Sequence, residues 1–204
     1  MTQYVRYIGN PGDGIDTHEW KSYRSEYEWA KRQTHGKFNG RVGTSEPIAH
    51  IIDPFARNCG WGTVTNDVDP RWHTDFHMDA ADFLEDLVDR GFKARILLFD
   101  PPFSDRQNEE KYEHATSNLY TTGDGRIGRC GNAIKKLLFP GGICIKLGYN
   151  SNAPTKGLEL IRLATVSFGG TRNDVIISHW INPNNSLYSY QKPPFRGEDG
   201  QEVR

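Results

Sequence analysis

Four acids, Asp53, Asp67, Asp79 and Asp100, each follow a short apolar or β-rich run, the weakest at Asp79, and this repeated placement is the main chemical signal in the chain. A carboxylate at a strand's end sits where open α/β sheets present their ligands. Asp100 is the most distinctive of them. Ile96 to Phe99 has the length and branching of a buried strand, and it stops at Asp100-Pro101-Pro102-Phe103. Proline lacks an N–H and fixes φ, so the pair ends any ladder or helix and holds the next carbonyls and Phe103 in a stiff, extended turn. An acid, a rigid carbonyl and an aromatic face suit a planar base that carries an amino group. The two acceptors each take one amino hydrogen while the ring stacks on the base. The same four residues also suit an ordinary turn, and in isolation both readings stand.

Other candidate groups carry less. His73 and His77 have the i, i+4 spacing of metal ligands, but they lie in a loop before a strand, where helical ligand spacing has no meaning, so no metal is expected. Gly123-Asp-Gly-Arg-Ile-Gly128 lacks the preceding strand of a phosphate cradle. From Trp29 to Gly43 the chain has Lys31, Arg32, Lys37 and Arg41 with His35 and no acid. This patch reads equally as a track for a phosphate backbone, with Phe38 interleaved, or as a solvated loop. Trp61 and Trp72 read as packing or cofactor-edge residues rather than stacking platforms.

The elements that must position these groups follow from periodicity. Residues 1–17 are rich in Gly, Pro and Asp and read as irregular. His18 to Gln33 places Trp20, Tyr23, Tyr27 and Ala30 on one face of a helix, expected to pack on the main sheet. Pro47 to Asp53 is a strand that opens through Pro54-Phe55-Ala56 into a tight loop ending at Gly62. Thr63 to Asn66 is a second strand, and His77 to Ala81 leads into a helix, Ala80 to Arg90, with Phe83, Leu84, Leu87 and Val88 inward. Ser104 to Gly128 is long and polar, with room for a helical turn at Lys111 to Ala115, and loops of this length often carry function. A helix from Arg129 to Phe139 is turned by Pro140-Gly141-Gly142 into a strand, Ile143 to Leu147. Two last strands, Leu158 to Phe168 and Asp174 to Ile181, form an antiparallel pair, and the tail from Pro183 reads as extended or frayed.

Length and composition set bounds. The 204 residues fit one α/β domain: an N-terminal extension (1–46) with the basic patch, a core (47–182) and a tail (183–204). The apolar runs are too short to cross a membrane, and Met1 opens no secretory signal. Three scattered cysteines, Cys59, Cys130 and Cys144, indicate neither a disulfide framework nor a zinc site, so a reducing cytoplasm is expected. A net charge of −1 means that any nucleic-acid surface must be a local patch.

Taken together, these motifs resemble those of the Rossmann-like, S-adenosylmethionine-dependent amino-methyltransferases. Within that family the chain is similar to the phage- and prophage-type adenine-specific DNA methyltransferases. The likeness rests on D-P-F-A-R-N-C at Asp53 to Cys59, T-N-D at Thr65 to Asp67, H-M-D-A at His77 to Ala80 and F-D-P-P-F-S at Phe99 to Ser104. It continues in the P-G-G turn at Pro140, Asn150-Ser151-Asn152 and G-G-x-x-N-D at Gly169 to Asp174. The resemblance covers about Ile48 to Ile181. It implies a class I sheet of seven strands in the order 3-2-1-4-5-7-6 with strand 7 antiparallel, S-adenosylmethionine as cofactor, and methylation of adenine N6 in DNA, the base flipped into the D-P-P-F pocket. Asp100, Pro101, Pro102 and Phe103 would be catalytic. Asp53, Pro54, Phe55, Ala56, Arg57, Asn66, Asp67, Asp79 and Ala80 would bind cofactor: Asp53 near its methionine part, Asp67 at the ribose hydroxyls, Asp79 at the adenine amino group. Lys31, Arg32, Lys37, Arg41, Ser104 and Arg106 would meet DNA. The resemblance leaves a monomer or homodimer open, in the cytoplasm of a bacterium, an archaeon or a phage-infected host. The same chemistry on cytosine N4 or RNA, or a non-catalytic cofactor- or DNA-binding module, are the alternatives. Two departures stand out: Arg57 occupies a position where most such enzymes have glycine, and fourteen positions from Asp53 to Asp67 leave almost no room for a helix between the first two strands.

Overall fold

A computed structural model describes residues 2–8, 17–34, 48–102, 125–168 and 173–183. Seven strands form one sheet: β1 (Gln3–Ile8), β2 (Ile48–Asp53), β3 (Val64–Thr65), β4 (Lys93–Phe99), β5 (Leu138–Gly148), β6 (Glu159–Ser167) and β7 (Val175–Ile181). Their order is β1-β6-β7-β5-β4-β2-β3, and only β7 runs against its neighbours. From β3 to β6 this is the order expected of a Rossmann-like class I methyltransferase sheet. The third strand of that scheme is reduced to one parallel bridge, Asn66 to Phe76. No helix separates β2 from β3, as the short spacing required.

Two expectations need correction. The first residues are not irregular throughout, because Gln3 to Ile8 alternate inward and outward as β1, parallel to β6 at the far edge. Val5 and Tyr7 pack on the core, so the gain is apolar burial as well as a paired edge. Likewise Pro140-Gly141-Gly142 does not precede β5 but lies inside it. Ala94 pairs with Leu138 and Ile96 with Ile143, so the segment is a wide bulge. Gly141 has φ +78°, and a Cβ on Gly142 would stand 2.9 Å from Phe139 O and 3.1 Å from Ala94 O, so both glycines are required.

Among the described residues three helices cover the sheet: α1 (Lys21–Thr34), α2 (Ala80–Asp89) and α3 (Arg126–Leu137). Alternation along β4 sends Ile96 and Leu98 to the α1 side and Leu97 and Phe99 to the α2/α3 side. On the α1 side Trp20, Tyr23, Tyr27 and Trp29 fill the core, which confirms α1 as a packing helix. Phe83, Leu84, Leu87, Ile134 and Leu137 fill the other. None of the described helices is long and apolar enough to cross a membrane.

A buried charge pins α1 to the distal strands. Glu26 is fully buried, accepts 2.6 and 2.9 Å hydrogen bonds from Arg162 Nε and Nη2, and accepts another of 2.6 Å from Tyr7 Oη. His179 Nε2 lies 2.9 Å from Glu26 Oε2. Burial pushes the Glu26 carboxyl up, but His179, Arg162 and Tyr7 together hold it down at about 2. Burial keeps His179 below its ordinary value, so Arg162 is the cation that balances Glu26. Arg162 also stacks over Trp29 and donates to Gln3 Oε1 at 2.9 Å, joining α1, β1 and β6. Replacing Glu26 with glutamine leaves Arg162 buried without its anion, and urea denaturation is expected to show a loss of roughly 3 kcal/mol.

Candidate active site at the carboxyl edge of the sheet

Strands β2, β3 and β4 run in the same direction, so the acids that follow them meet along one edge. Asp53 ends β2 and is 4% exposed. Its Oδ1 accepts the Phe55 N–H at 3.1 Å. Burial, opposed by that hydrogen bond and helped by the facing charges of Asp100 and Asp67, pushes its carboxyl up to about 7. The chain wraps tightly here. A Cβ on Gly62 would lie 2.7 Å from Thr65 Cγ2 and 3.1 Å from Asp53 Cβ, so the glycine lets the Pro54 to Thr63 loop close on the acid.

Asp67 is equally buried, and burial raises its pKa, partly offset by main-chain donors. Oδ1 accepts from Asp69 N at 2.9 Å and Oδ2 from Arg57 N at 3.2 Å. Carboxylate oxygens carry two lone pairs each, so acceptor capacity remains for ribose hydroxyls. Arg57 has φ +47°, the conformation in which glycine costs nothing and other residues are strained. Here the arginine is retained with its guanidinium 4.9 Å over the Trp72 ring and its charge lowering the Asp67 pKa. Trp72 is therefore an edge residue, while Trp61 packs against Tyr27 and Tyr23 of α1.

Asn66 and Asp79 hold the edge together. Asn66 Nδ2 donates to Pro54 O at 3.2 Å and Met78 O at 3.0 Å, and Oδ1 accepts from Met78 N at 2.9 Å. Both amide hydrogens are thus spent on main chain, and Asn66 staples the Pro54 loop to Met78. Asp79 caps α2, its Oδ1 accepting Ala81 N at 2.9 Å, while Oδ2 pairs with Arg126 of α3 at 3.0 Å. Its neighbour Ala80, the first residue of α2, and Ala56 are buried; Pro54 carries the carbonyl that Asn66 binds, and the Phe55 ring meets Phe99 edge-on at 5.8 Å. His77 Nδ1 lies 3.3 Å from Asp67 O and from Thr74 Oγ1, a loop contact.

Asp100 follows β4 on the α1 side, half-buried, with Pro101 buried and Pro102 half-buried behind it. Thr17 Oγ1, at the start of a 3-10 turn before α1, donates to Asp100 Oδ2. Tyr23 of α1 faces Asp100 and Asp53, and burial first, then those two charges, push its phenol well up. Neither Thr17 nor Tyr23 was singled out for the site from sequence, since a contact across 83 positions leaves no local pattern. Lys146, near the end of β5, is a third addition. Its buried ammonium donates 2.9 Å hydrogen bonds to Asn150 Oδ1 and Asn152 O, fixing the Asn150-Ser151-Asn152 segment at the same edge, and burial lowers its pKa. Phe103, Ser104, Arg106, Lys37 and Arg41, and the polar stretch to 124, lie outside the described residues. Lys31 and Arg32 lie in the last turn of α1, where Lys31 pairs with Glu28 at 3.1 Å.

No family model and no curated protein matches this chain. Solved structures with partly similar chain paths include a candidate S-adenosylmethionine-dependent methyltransferase from Streptococcus mutans (12% identity, TM-score 0.43, 76% of this chain against 48% of that one). Others are TrmN from Thermus thermophilus (14%, 0.41, 76% against 47%) and the N-methyltransferase NodS from Bradyrhizobium japonicum WM9 (10%, 0.39, 79% against 97%). The chain spans about half the length of the first two. At these scores the likeness is one of partial chain path, and no residue role is taken from it.

The raised Asp53 pKa has a definite sign. The folded state holds this proton more tightly than the unfolded chain, so the acid's contribution to stability is complete below about pH 4 and is lost as pH rises through about 7. Asparagine mimics the protonated acid. Urea denaturation is expected to show Asp53→Asn gaining on the wild type by about 2 kcal/mol between pH 5 and pH 8. At Arg57, both Arg57→Ala and Arg57→Gly lose the contact with Trp72, but only glycine relieves the positive φ. The glycine variant is expected to be the more stable by about 1 kcal/mol in the same assay.

Proposed function

We propose that this protein transfers the methyl group of S-adenosylmethionine to the N6 amino group of adenine in DNA. The observation that carries the reading is the convergence of Asp53, Asp67 and the Asp100-Pro101-Pro102 turn on one edge of a sheet with methyltransferase strand order. The donor set fits the cofactor. S-adenosylmethionine is cationic at sulfur and ammonium and offers ribose hydroxyls as donors, and the edge presents buried and half-buried carboxylate acceptors. When bound, the cofactor would supply a methyl group on a cationic sulfonium, which departs as a neutral thioether and needs little acid–base help.

The protein's task is therefore alignment and electrostatics. Asp67 would hold the ribose side of the cofactor, and Asp53 its cationic methionine side. A flipped adenine would present its amino group to Asp100 and to the Pro101 carbonyl, each accepting one hydrogen, with the Phe103 ring beneath the base. Those two acceptors turn the nitrogen lone pair toward the methyl carbon. The amino nitrogen would accept the methyl group, and the proton it sheds would pass to solvent. The two prolines keep the acceptors from relaxing, since neither can rotate φ freely.

Incubation with labelled methyl donor and mixed-sequence duplex DNA is expected to yield N6-methyladenine. Asp100→Ala, folded by circular dichroism, is expected to lose at least about 100-fold in rate. Wild-type rates in that variant would remove Asp100 from the chemistry. Label found on cytosine N4, or only on RNA, would replace the acceptor; donor binding without transfer would indicate the non-catalytic module.

A further inference from the structure

We infer that Thr17 is a positioning residue for Asp100, so that the 3-10 turn before α1 completes the active site rather than merely extending the domain. The inference rests on the methyl-transfer reading and goes beyond it.

Asp100 turns to the sheet face that α1 covers, the face of Ile96 and Leu98. There Thr17 Oγ1 donates to Asp100 Oδ2. The donor is not on a loose arm. Thr17 O accepts Trp20 N at 3.0 Å, Trp20 O accepts Arg24 N at 3.0 Å, and the Trp20 ring is buried edge-on to Phe168 at 5.1 Å. The turn is thereby locked to α1, and α1 to the sheet. Tyr23 follows six positions later, facing the same acid. A carboxylate whose Oδ2 is held by a fixed hydroxyl has a defined rotation about its side-chain bonds, and Oδ1 is then directed rather than free to swing. An amino group that must be met at a set angle needs this restraint, because a misplaced acceptor forfeits much of the orientational gain. With its hydrogen on Asp100 Oδ2, the hydroxyl acts through Asp100.

Steady-state methylation of duplex DNA by Thr17→Val and Thr17→Ser variants tests this. The valine variant is expected to lose roughly 10- to 100-fold in kcat, with KM for DNA and methyl donor within about threefold of wild type and an unchanged melting temperature. Serine retains the donor and is expected to restore most of kcat. Wild-type kcat in Thr17→Val, a loss confined to KM, or a serine variant as impaired as valine would each overturn the inference. Thr17→Ala replaces valine if that variant does not fold, with the same expectations. If Asp100→Ala abolishes transfer while Thr17→Val and Thr17→Ala do not impair it, only the role of Thr17 falls. If the wild-type protein methylates no nucleic acid, the underlying reading falls with it.

Discussion

Parallel strands buried on both faces leave one place for polar chemistry, the edge where their carboxyl ends emerge, and the rest of this molecule follows from that constraint. β2 and β4 are apolar on both sides, with Ile51, Ile96 and Leu98 under α1 and Ile52, Leu97 and Phe99 under α2 and α3. Helices must cover both faces, so the acids that end the strands are half-enclosed by the same layers. Burial is what makes them expensive to keep charged.

The edge meets that cost mainly with main chain. Asp67 takes two backbone N–H groups, Asp53 one, and Asp79 caps a helix while pairing with Arg126. Asn66 ties the Pro54 loop to Met78 and stands in for a strand reduced to a single bridge. Arg57 is the opposite case, a side chain kept in a glycine's conformation because its guanidinium has Trp72 beneath it and Asp67 beside it.

The N-terminal residues matter more than an appendage would. β1 adds an edge strand, α1 supplies most of the aromatic core on one face, and Glu26 joins both to Arg162. A buried ion pair gives little net stability against an apolar substitute, but losing one partner is costly, and the pair ties α1 to β6 in the observed register. That register is what brings the 3-10 turn to Asp100.

The acids at strand ends, the Asp100-Pro101-Pro102 stop, the aromatic face of α1 and the antiparallel final pair were legible in the sequence because each is written in local periodicity and turn chemistry. β1 was legible too, in the β-forming alternation of Tyr4, Val5, Tyr7 and Ile8, but the neighbouring glycines and acids outweighed it. Other features arose only on folding. Nothing local ties Thr17 to Asp100, Glu26 to Arg162 or Asn66 to Met78, and the position of Pro140-Gly141-Gly142 inside β5 depends on Asn182 pairing across it. The sequence by itself determined where the acids stand and which elements precede them, because backbone geometry and side-chain period act over a few residues. Tertiary structure decided which groups face those acids, because a hydrogen bond across 83 or 136 positions is set by the packing of layers.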